Sequence, residues 1–227
     1  LRHGEAPRES GRDREREAST RRYFEKRAGR FDSLYAPSVA TRLLRRGPSR
    51  GRELAVSVVA QHSAPTVLDV GCGPGRVAAA IIEAGAARYV GVDFSPHMLA
   101  LARERLGGFE AVELLEGDFV DVDIRERFDV VLALGLFDYL EEPTRAAEWM
   151  RARCSSTLLA SFTRWDWVKA PIRHIHYELL HRCPISDYTE VDAEQLLNAA
   201  GFSNVEFVFR GRRGFFVSAT PHGDTLR

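Results

Sequence analysis

Several things are scarce in this 227-residue chain, and each scarcity excludes something. There are three cysteines, Cys72, Cys154 and Cys183, far apart and without a Cys-x-x-Cys pair. A disulfide scaffold or a structural zinc knuckle is therefore not expected, and a reducing cytoplasm is the natural setting. Net charge is absent too, with 32 Lys and Arg against 32 Asp and Glu. Coating nucleic acid or an anionic membrane needs a large positive field, so neither is expected as a partner. No apolar run approaches the roughly 20 residues that span a bilayer. The strongly charged first thirty residues do not read as a secretory leader, so cytoplasmic location is the expectation. What is present is 44% hydrophobic residues, ample for the core of one domain with a lobe or extension.

Residues 1–20 are rich in Arg, Glu, Ser and Gly and read as a tail with little to bury. Residues 21–61 carry Tyr23, Phe24, Phe31, Leu34, Tyr35, Val39, Leu43 and Leu44. They are expected to form a helical cap of two or three helices, broken near Pro37 and Gly47-Pro48. From 62 to 220 short apolar strands alternate with amphipathic helices. Strands are expected at 66–70, 88–92, 111–115, 128–134 and 156–162, and a terminal hairpin at 204–209 and 214–219. The helix after the first strand carries Val77, Ala80, Ile81 and Ala84 on one face, with Gly85 as its stop. Ser95-Pro96 supplies an N-cap and an N1 proline for the next, and another helix follows Pro143. Thr189-x-x-Asp192 is a capping pattern for the last helix, whose inner face is Ala193, Leu196, Leu197 and Ala200. Repeated β-α-β units require right-handed crossovers and a parallel sheet between helices: a doubly wound α/β domain.

Ligands of such sheets bind beyond the carboxyl ends of the strands, at the point where strand order reverses. The residues that stand out fall there. The first strand ends in Asp69 and Gly71-Cys72-Gly73-Pro74-Gly75, the second in Asp93, the third runs into Gly117-Asp118-Phe119, and the fourth into Gly135 and Phe137-Asp138-Tyr139. A dinucleotide fingerprint would need a third glycine, as in Gly-x-Gly-x-x-Gly. Arg76 follows Gly75 directly, so that spacing is not met and a nicotinamide cofactor is disfavoured. The bland reading of the glycines is a tight strand-to-helix turn. Asp93 shifts the balance, because an acid about 20 residues on, at the tip of the second strand, can accept both hydroxyls of a ribose. Its bland reading as a helix cap is weakened by Ser95, which already serves that purpose.

These segments resemble a known family. Val67-Leu68-Asp69-Val70-Gly71-Cys72-Gly73-Pro74-Gly75 resembles motif I of the class I S-adenosylmethionine-dependent methyltransferases. Val90-Gly91-Val92-Asp93-Phe94-Ser95 resembles their second motif, Glu116-Gly117-Asp118-Phe119 the third, and Phe128-Asp129-Val130-Val131 the fourth-strand signature. The resemblance runs in order from about Tyr23 to Ala219. It implies a Rossmann-like sheet of seven strands, mostly parallel with the last antiparallel, an N-terminal helical lid, and an insertion after the fifth strand (163–188). It also implies S-adenosyl-L-methionine as cofactor and S-adenosyl-L-homocysteine as product. Gly71, Cys72, Gly73 and Gly75 would line the methionine part, Asp69 would support that loop and the amino group, and Asp93 would hold the ribose. Gly117, Asp118 and Phe119 would frame the adenine, with Phe94, Met98, Leu134 and Gly135 completing the cofactor wall. The pattern is similar, more loosely, to ubiquinone-pathway and magnesium-protoporphyrin O-methyltransferases.

The acceptor side is less informative. The Asp/Asn-Pro-Pro-aromatic motif common in methyltransferases of nucleobase amino groups is absent after the fourth strand. Small-molecule O-methyltransferases of the ubiquinone-pathway group often carry Glu-His there, where this chain has Asp138-Tyr139. Asp138 is a candidate for touching substrate; the alternative is a loop carboxylate capping the helix near Pro143. The insertion holds Trp165, Trp167, Arg173, His174, His176, Tyr177, His181 and Arg182, which suit a planar or anionic acceptor. His174 and His176 are the general-base candidates, since an imidazole near neutral pH can remove an acceptor proton. Their spacing with His181 and Cys183 matches no common zinc pattern, so no metal is expected. Tyr23, Tyr35, Phe137, Tyr139, Trp165, Arg173 and Tyr177 are the candidate substrate contacts. The expectation is a methyltransferase acting on a small organic acceptor, most simply at oxygen, with a homodimer allowed. The alternatives are N- or C-methylation of a metabolite, or a protein of this fold that binds the cofactor without transferring the methyl group.

Overall fold

The computed structural model describes residues 46–165 and 185–223. Helix α1 (Arg46–Val59) leads into strand β1 (Thr66–Val70), then α2 (Arg76–Glu83), β2 (Arg88–Asp93), α3 (Pro96–Leu106), β3 (Val112–Glu116) and β4 (Phe128–Ala133). A single 3-10 turn (Phe137–Tyr139) precedes α4 (Pro143–Arg153), which runs straight into β5 (Cys154–Thr163). Helix α5 (Glu190–Ala199) and the hairpin β6 (Phe202–Arg210) and β7 (Gly214–Pro221) complete the described fold. Gly47-Pro48, expected to break a helix, lies instead in the first turn of α1. Proline is tolerated there because the first-turn N–H groups have no intrahelical acceptor. The cap before residue 46 lies outside the described residues.

The strands form one sheet in the order β3-β2-β1-β4-β5-β7-β6. Pairs β1–β2, β2–β3, β1–β4 and β4–β5 are parallel, and β7 runs antiparallel between β5 and β6. This is the mostly parallel, seven-stranded sheet expected. The chain moves outward from β1 to β3 and returns to β4, so strand order reverses between β1 and β4. That gap is where a ligand cleft belongs.

Alternation along each strand separates two apolar layers. Leu68, Val70, Val90, Val131, Leu158 and Ala160 pack under α4 and α5 through Ala147, Met150, Ala193 and Leu197. Val67, Tyr89, Val130, Leu132 and Leu159 pack against α1, α2 and α3 through Ala55, Val59, Ile81, Leu99 and Leu106. Strand β4 is buried on both faces, as a near-continuous apolar run in a parallel sheet requires. On α2 the buried positions are Ala78 and Ile81, so its face is centred one residue away from the expected stripe. Gly85 (φ +106°) ends it, with the Gly85 N–H on the Ile82 carbonyl and the Ala86 N–H on that of Ile81. Those two bonds are the paired closure of a left-handed C-terminal cap. The Ser95 and Thr189 caps form as expected, the latter with reciprocal bonds to Asp192. Among the described residues no helix is long and apolar enough to cross a membrane.

One glycine of the β1–α2 turn is fixed by packing as well as by conformation. A Cβ on Gly75 (φ +69°) would lie 2.9 Å from Leu106 Cδ1 and 3.2 Å from Ala102 Cβ on α3. A Cβ on Gly73 (φ +53°) would meet nothing within 4 Å. Gly73→Ala should therefore cost only backbone strain, about 1 kcal/mol. Gly75→Ala should cost about 2–4 kcal/mol, because overpacking adds to the same strain. Urea unfolding midpoints of the two variants check this; equal losses would mean that α3 gives way.

Candidate cofactor and acceptor site

The tips of the first three strands are tied together by backbone bonds. Gly71 and Cys72 both donate to the Val92 carbonyl, at 2.8 and 3.1 Å, and Gly117 donates to the Asp93 carbonyl at 3.1 Å. The Asp93 carboxylate accepts the Gly73 N–H on one oxygen (2.8 Å) and the Ser95 N–H on the other (2.9 Å). Asp93 thus holds the glycine turn from the neighbouring strand. Burial raises its pKa, and the bonds from Ser95 and Gly73 work against that rise. Arg105, in the last turn of α3, donates to the Pro74 carbonyl and clamps the turn from outside.

Asp69 lies beneath the turn rather than in its mouth. It is 3% exposed and accepts a 2.8 Å hydrogen bond from the Tyr89 hydroxyl. Burial pushes its carboxyl up to about 7, against the Tyr89 bond and with a smaller push from Asp93. Burial likewise keeps the Tyr89 hydroxyl and the Cys72 thiol protonated. Tyr89, Gly91 and Asp93 alternate onto one face of β2, and a Cβ on Gly91 would lie 2.9 Å from both Cys72 Sγ and Tyr89 Cε1. Tyr89 was not singled out by the sequence. Its position four residues before Asp93, on the same face of the strand, is the signal that could have found it.

Other expected cofactor residues flank this turn. Gly117 (φ +148°) begins the loop after β3, where Asp118 accepts the Val120 N–H in a local turn. Phe119 rests edge-on against Trp149 at 5.2 Å. Met98 is buried at the start of α3, and Phe94 and Leu134 are half-buried. Gly135 (φ +73°) is exposed, donates to Ser161 Oγ at 2.7 Å, and has no neighbour within 4 Å of a would-be Cβ. Gly73 and Gly135 therefore present bare backbone to open space on the two sides of the switch point. Open glycine backbone beside the Asp93 carboxylate fits close approach of a ligand that carries ammonium and sulfonium groups.

On the acceptor side the structure corrects two readings. Phe137 is fully buried, stacked on Phe162 at 4.7 Å, and so belongs to the core, not to a substrate wall. Asp138 does not cap α4, whose N-cap is Glu142 without a side-chain bond. Instead it is 8% exposed and accepts both the N–H (3.0 Å) and the hydroxyl (2.5 Å) of Thr163 at the end of β5. Its carbonyl accepts the Ser186 N–H at 2.7 Å, and Tyr188 donates its hydroxyl to the Phe137 carbonyl at 3.0 Å. The chain on both sides of the insertion is thereby held at one point beside β4. Thr163 and Tyr188 carry no local sequence signal for this, since their partners lie 25 and 51 residues away. Tyr139 is half-buried and Trp165 is 40% exposed. Tyr23, Tyr35, Arg173, His174, His176 and Tyr177 lie outside the described residues. Among the described residues no group of three His, Cys, Asp or Glu side chains is placed to hold a metal ion.

A seven-stranded sheet of this order, with a glycine turn after β1 and an acid at the tip of β2, is the Rossmann-like fold of the class I S-adenosylmethionine-dependent methyltransferases. Residues 67–157 match the family model of a methyltransferase domain. Over 70 residues the chain is 41% identical to ribosomal protein L11 methyltransferase of Clostridium botulinum, covering 30% of this chain and 22% of that protein. The chain thus spans about a fifth of the length of that curated relative. Magnesium protoporphyrin IX methyltransferase from Synechocystis, solved with S-adenosylhomocysteine, superposes with a TM-score of 0.70 at 18% identity over 90% of this chain and 99% of that one. Burkholderia thailandensis 1,6-didemethyltoxoflavin-N1-methyltransferase does so with a TM-score of 0.68 at 20% identity over 97% and 94%.

The Asp69–Tyr89 pair makes a pH-dependent prediction. Below its ordinary value of 3.8 Asp69 is protonated whether the chain is folded or not. Between that value and about 7 only the folded chain keeps the proton, so stability falls as pH rises through this window. Asp69→Asn keeps an acceptor for Tyr89 and cannot ionise. Urea unfolding at pH 5 and pH 8 should show wild type losing about 2 kcal/mol more than the variant across the interval. Parallel losses would remove Asp69 as the cause.

Proposed function

We propose that the chain transfers a methyl group from S-adenosylmethionine to a small organic acceptor, at oxygen. The observation that carries this reading is the junction at Asp93, which draws the tips of β1, β2 and β3 into one cleft floored by bare glycine backbone. Gly71, Gly73 and Gly75 would line the methionine part, Asp93 the ribose, and Asp118 with Phe119 the adenine. Bound there, the cofactor supplies an electrophilic methyl group whose departure removes the sulfonium charge. The protein's share is alignment and exclusion of water, effects worth up to about 7–11 kcal/mol. Two structural neighbours that match nearly the whole chain are named for a porphyrin and for toxoflavin, both small molecules. The ribosomal-protein methyltransferase is matched over a short stretch alone, which favours the small-molecule reading.

His174 or His176 serves as general base in this reading, with Tyr23, Tyr35, Tyr139, Trp165, Arg173 and Tyr177 around the acceptor. Asp138 acts by holding Thr163, as a positioning residue. Titration calorimetry with S-adenosylmethionine, followed by turnover on a panel of phenols, carboxylic acids and amines, tests the reading. Asp93→Ala should weaken cofactor binding by well over tenfold, since each charge-assisted bond contributes roughly 1.5–3 kcal/mol. His174→Ala and His176→Ala should lower turnover and leave cofactor affinity alone. Cofactor binding without transfer to any acceptor would favour a non-methylating partner protein, and transfer confined to amines would move the reaction to nitrogen.

A further inference from the structure

The β6–β7 hairpin places an arginine cluster on the cleft edge that the reaction outlined above does not use. Strand β5 is parallel to β4, so its end at Thr163 lies on the same edge of the sheet as the glycine turn. Thr163 pairs with Gly214, and Arg164 donates its N–H to the Arg213 carbonyl at 3.0 Å. The hairpin tip Arg210-Gly211-Arg212-Arg213 therefore stands beside the start of the insertion. The tip turns tightly against the end of β5. Gly211 donates to the Gly214 carbonyl at 2.9 Å, and a Cβ on Gly214 would fall 2.4 Å from the Phe162 carbonyl oxygen.

The charges at this tip are unbalanced. Glu190 is shared by Arg164 (2.5 Å) and Arg210 (3.0 Å). Arg212 and Arg213 are exposed and make no ion pair among the described residues. Arg164 also has a buried Nε without a hydrogen-bond partner, a donor left over from its bond to Glu190. Among the described residues, Glu190 is the acid paired with this group of four cations. Elsewhere on the same sheet edge stand the carboxylates of Asp93 and Asp118, at the tips of β2 and β3. Trp165, 40% exposed, follows Arg164 and donates its backbone N–H to the Tyr188 carbonyl. A cation-accepting half and an anion-accepting half thus lie along one sheet edge of a chain with no net charge.

We propose that the acceptor is a planar carboxylate, anchored through its anionic group by Arg212 and Arg213 at the hairpin tip with Trp165 as its stacking surface. This deepens the methyltransferase reading and rests on it for the word acceptor, although the anion site itself can be tested separately. Guanidinium forks suit carboxylates because they bond both oxygens at once, and exposed tryptophan suits a planar body.

The test uses 2,6-naphthalenedicarboxylate and its uncharged diamide as probes, with tryptophan fluorescence as the readout and Trp165→Phe to assign the signal. Wild type should bind the dicarboxylate roughly tenfold or more tightly than the diamide, and R212Q/R213Q should lose that preference. Raising NaCl from about 50 mM to about 500 mM should weaken the dicarboxylate alone. Calorimetry should give the same S-adenosylmethionine affinity for the double variant and wild type. Equal binding of both probes, or an unchanged preference in R212Q/R213Q, overturns the anion site while leaving the cofactor reading intact. Failure to bind S-adenosylmethionine with the carboxylate preference intact overturns the methyltransferase reading instead. Tight binding of an RNA oligonucleotide, lost in R212Q/R213Q, with no binding of the dicarboxylate, would reassign the arginines to phosphate recognition and overturn the proposal.

Discussion

A single carboxylate, that of Asp93, holds the cleft in shape. It ends β2, accepts backbone N–H groups from the glycine turn and from the start of α3, and its carbonyl receives the loop after β3. Three loops that would otherwise move independently are tied to one residue. The cost is visible in its raised pKa, which burial produces and the two N–H bonds restrain. Those bonds give Gly73 a defined place although its positive φ and open surroundings would leave it one of the least constrained positions in the turn. A ligand entering here meets a turn already ordered, so less conformational entropy is lost on binding.

The second acid under the turn is handled differently. Asp69 is separated from solvent and hydrogen-bonded to a tyrosine, and its carboxyl is pushed to about 7. Two carboxylates on adjacent strands, both facing the same layer, would repel each other if both stayed ionised in a dry site. Their environments set them apart: Asp93 has two N–H donors and Asp69 has one hydroxyl, so the proton near neutrality belongs to Asp69. Gly91 makes this arrangement sterically feasible, since any side chain there would collide with Cys72 and Tyr89. A one-sided row of Tyr, Gly and Asp on β2 is thus as much a part of the site as the glycine turn.

Much of the strand-and-helix pattern could be read from local sequence. Ser95-Pro96, Thr189-x-x-Asp192, Gly85 and the apolar runs of β1 and β4 act within a few residues of themselves, and each produced the expected element. Gly47-Pro48 shows the limit of such signals. The same pair reads as a helix break or as a helix start, and only the chain that follows decides. Phe137 failed for a related reason: an aromatic residue after a central strand can face a pocket or the core, and its stacking on Phe162 is a contact across 25 residues. The bond of Asp138 to Thr163 and that of Tyr188 to Phe137 are invisible to periodicity because neither residue repeats with anything nearby.

That difference follows the architecture. On the cofactor side each loop is a short strand-to-helix turn, so its chemistry is written in consecutive residues. On the other side β4, β5 and β7 meet through contacts between distant segments, and the groups that matter come together only when the sheet closes. Thr163 joins three of these: it takes the carboxylate of Asp138, receives the Tyr188 N–H on its carbonyl, and pairs with Gly214. A residue with one small hydroxyl therefore fixes where the insertion leaves the sheet and where the hairpin tip stands. The shape of this part of the sheet edge rests on that one strand end, as the glycine-turn side rests on Asp93.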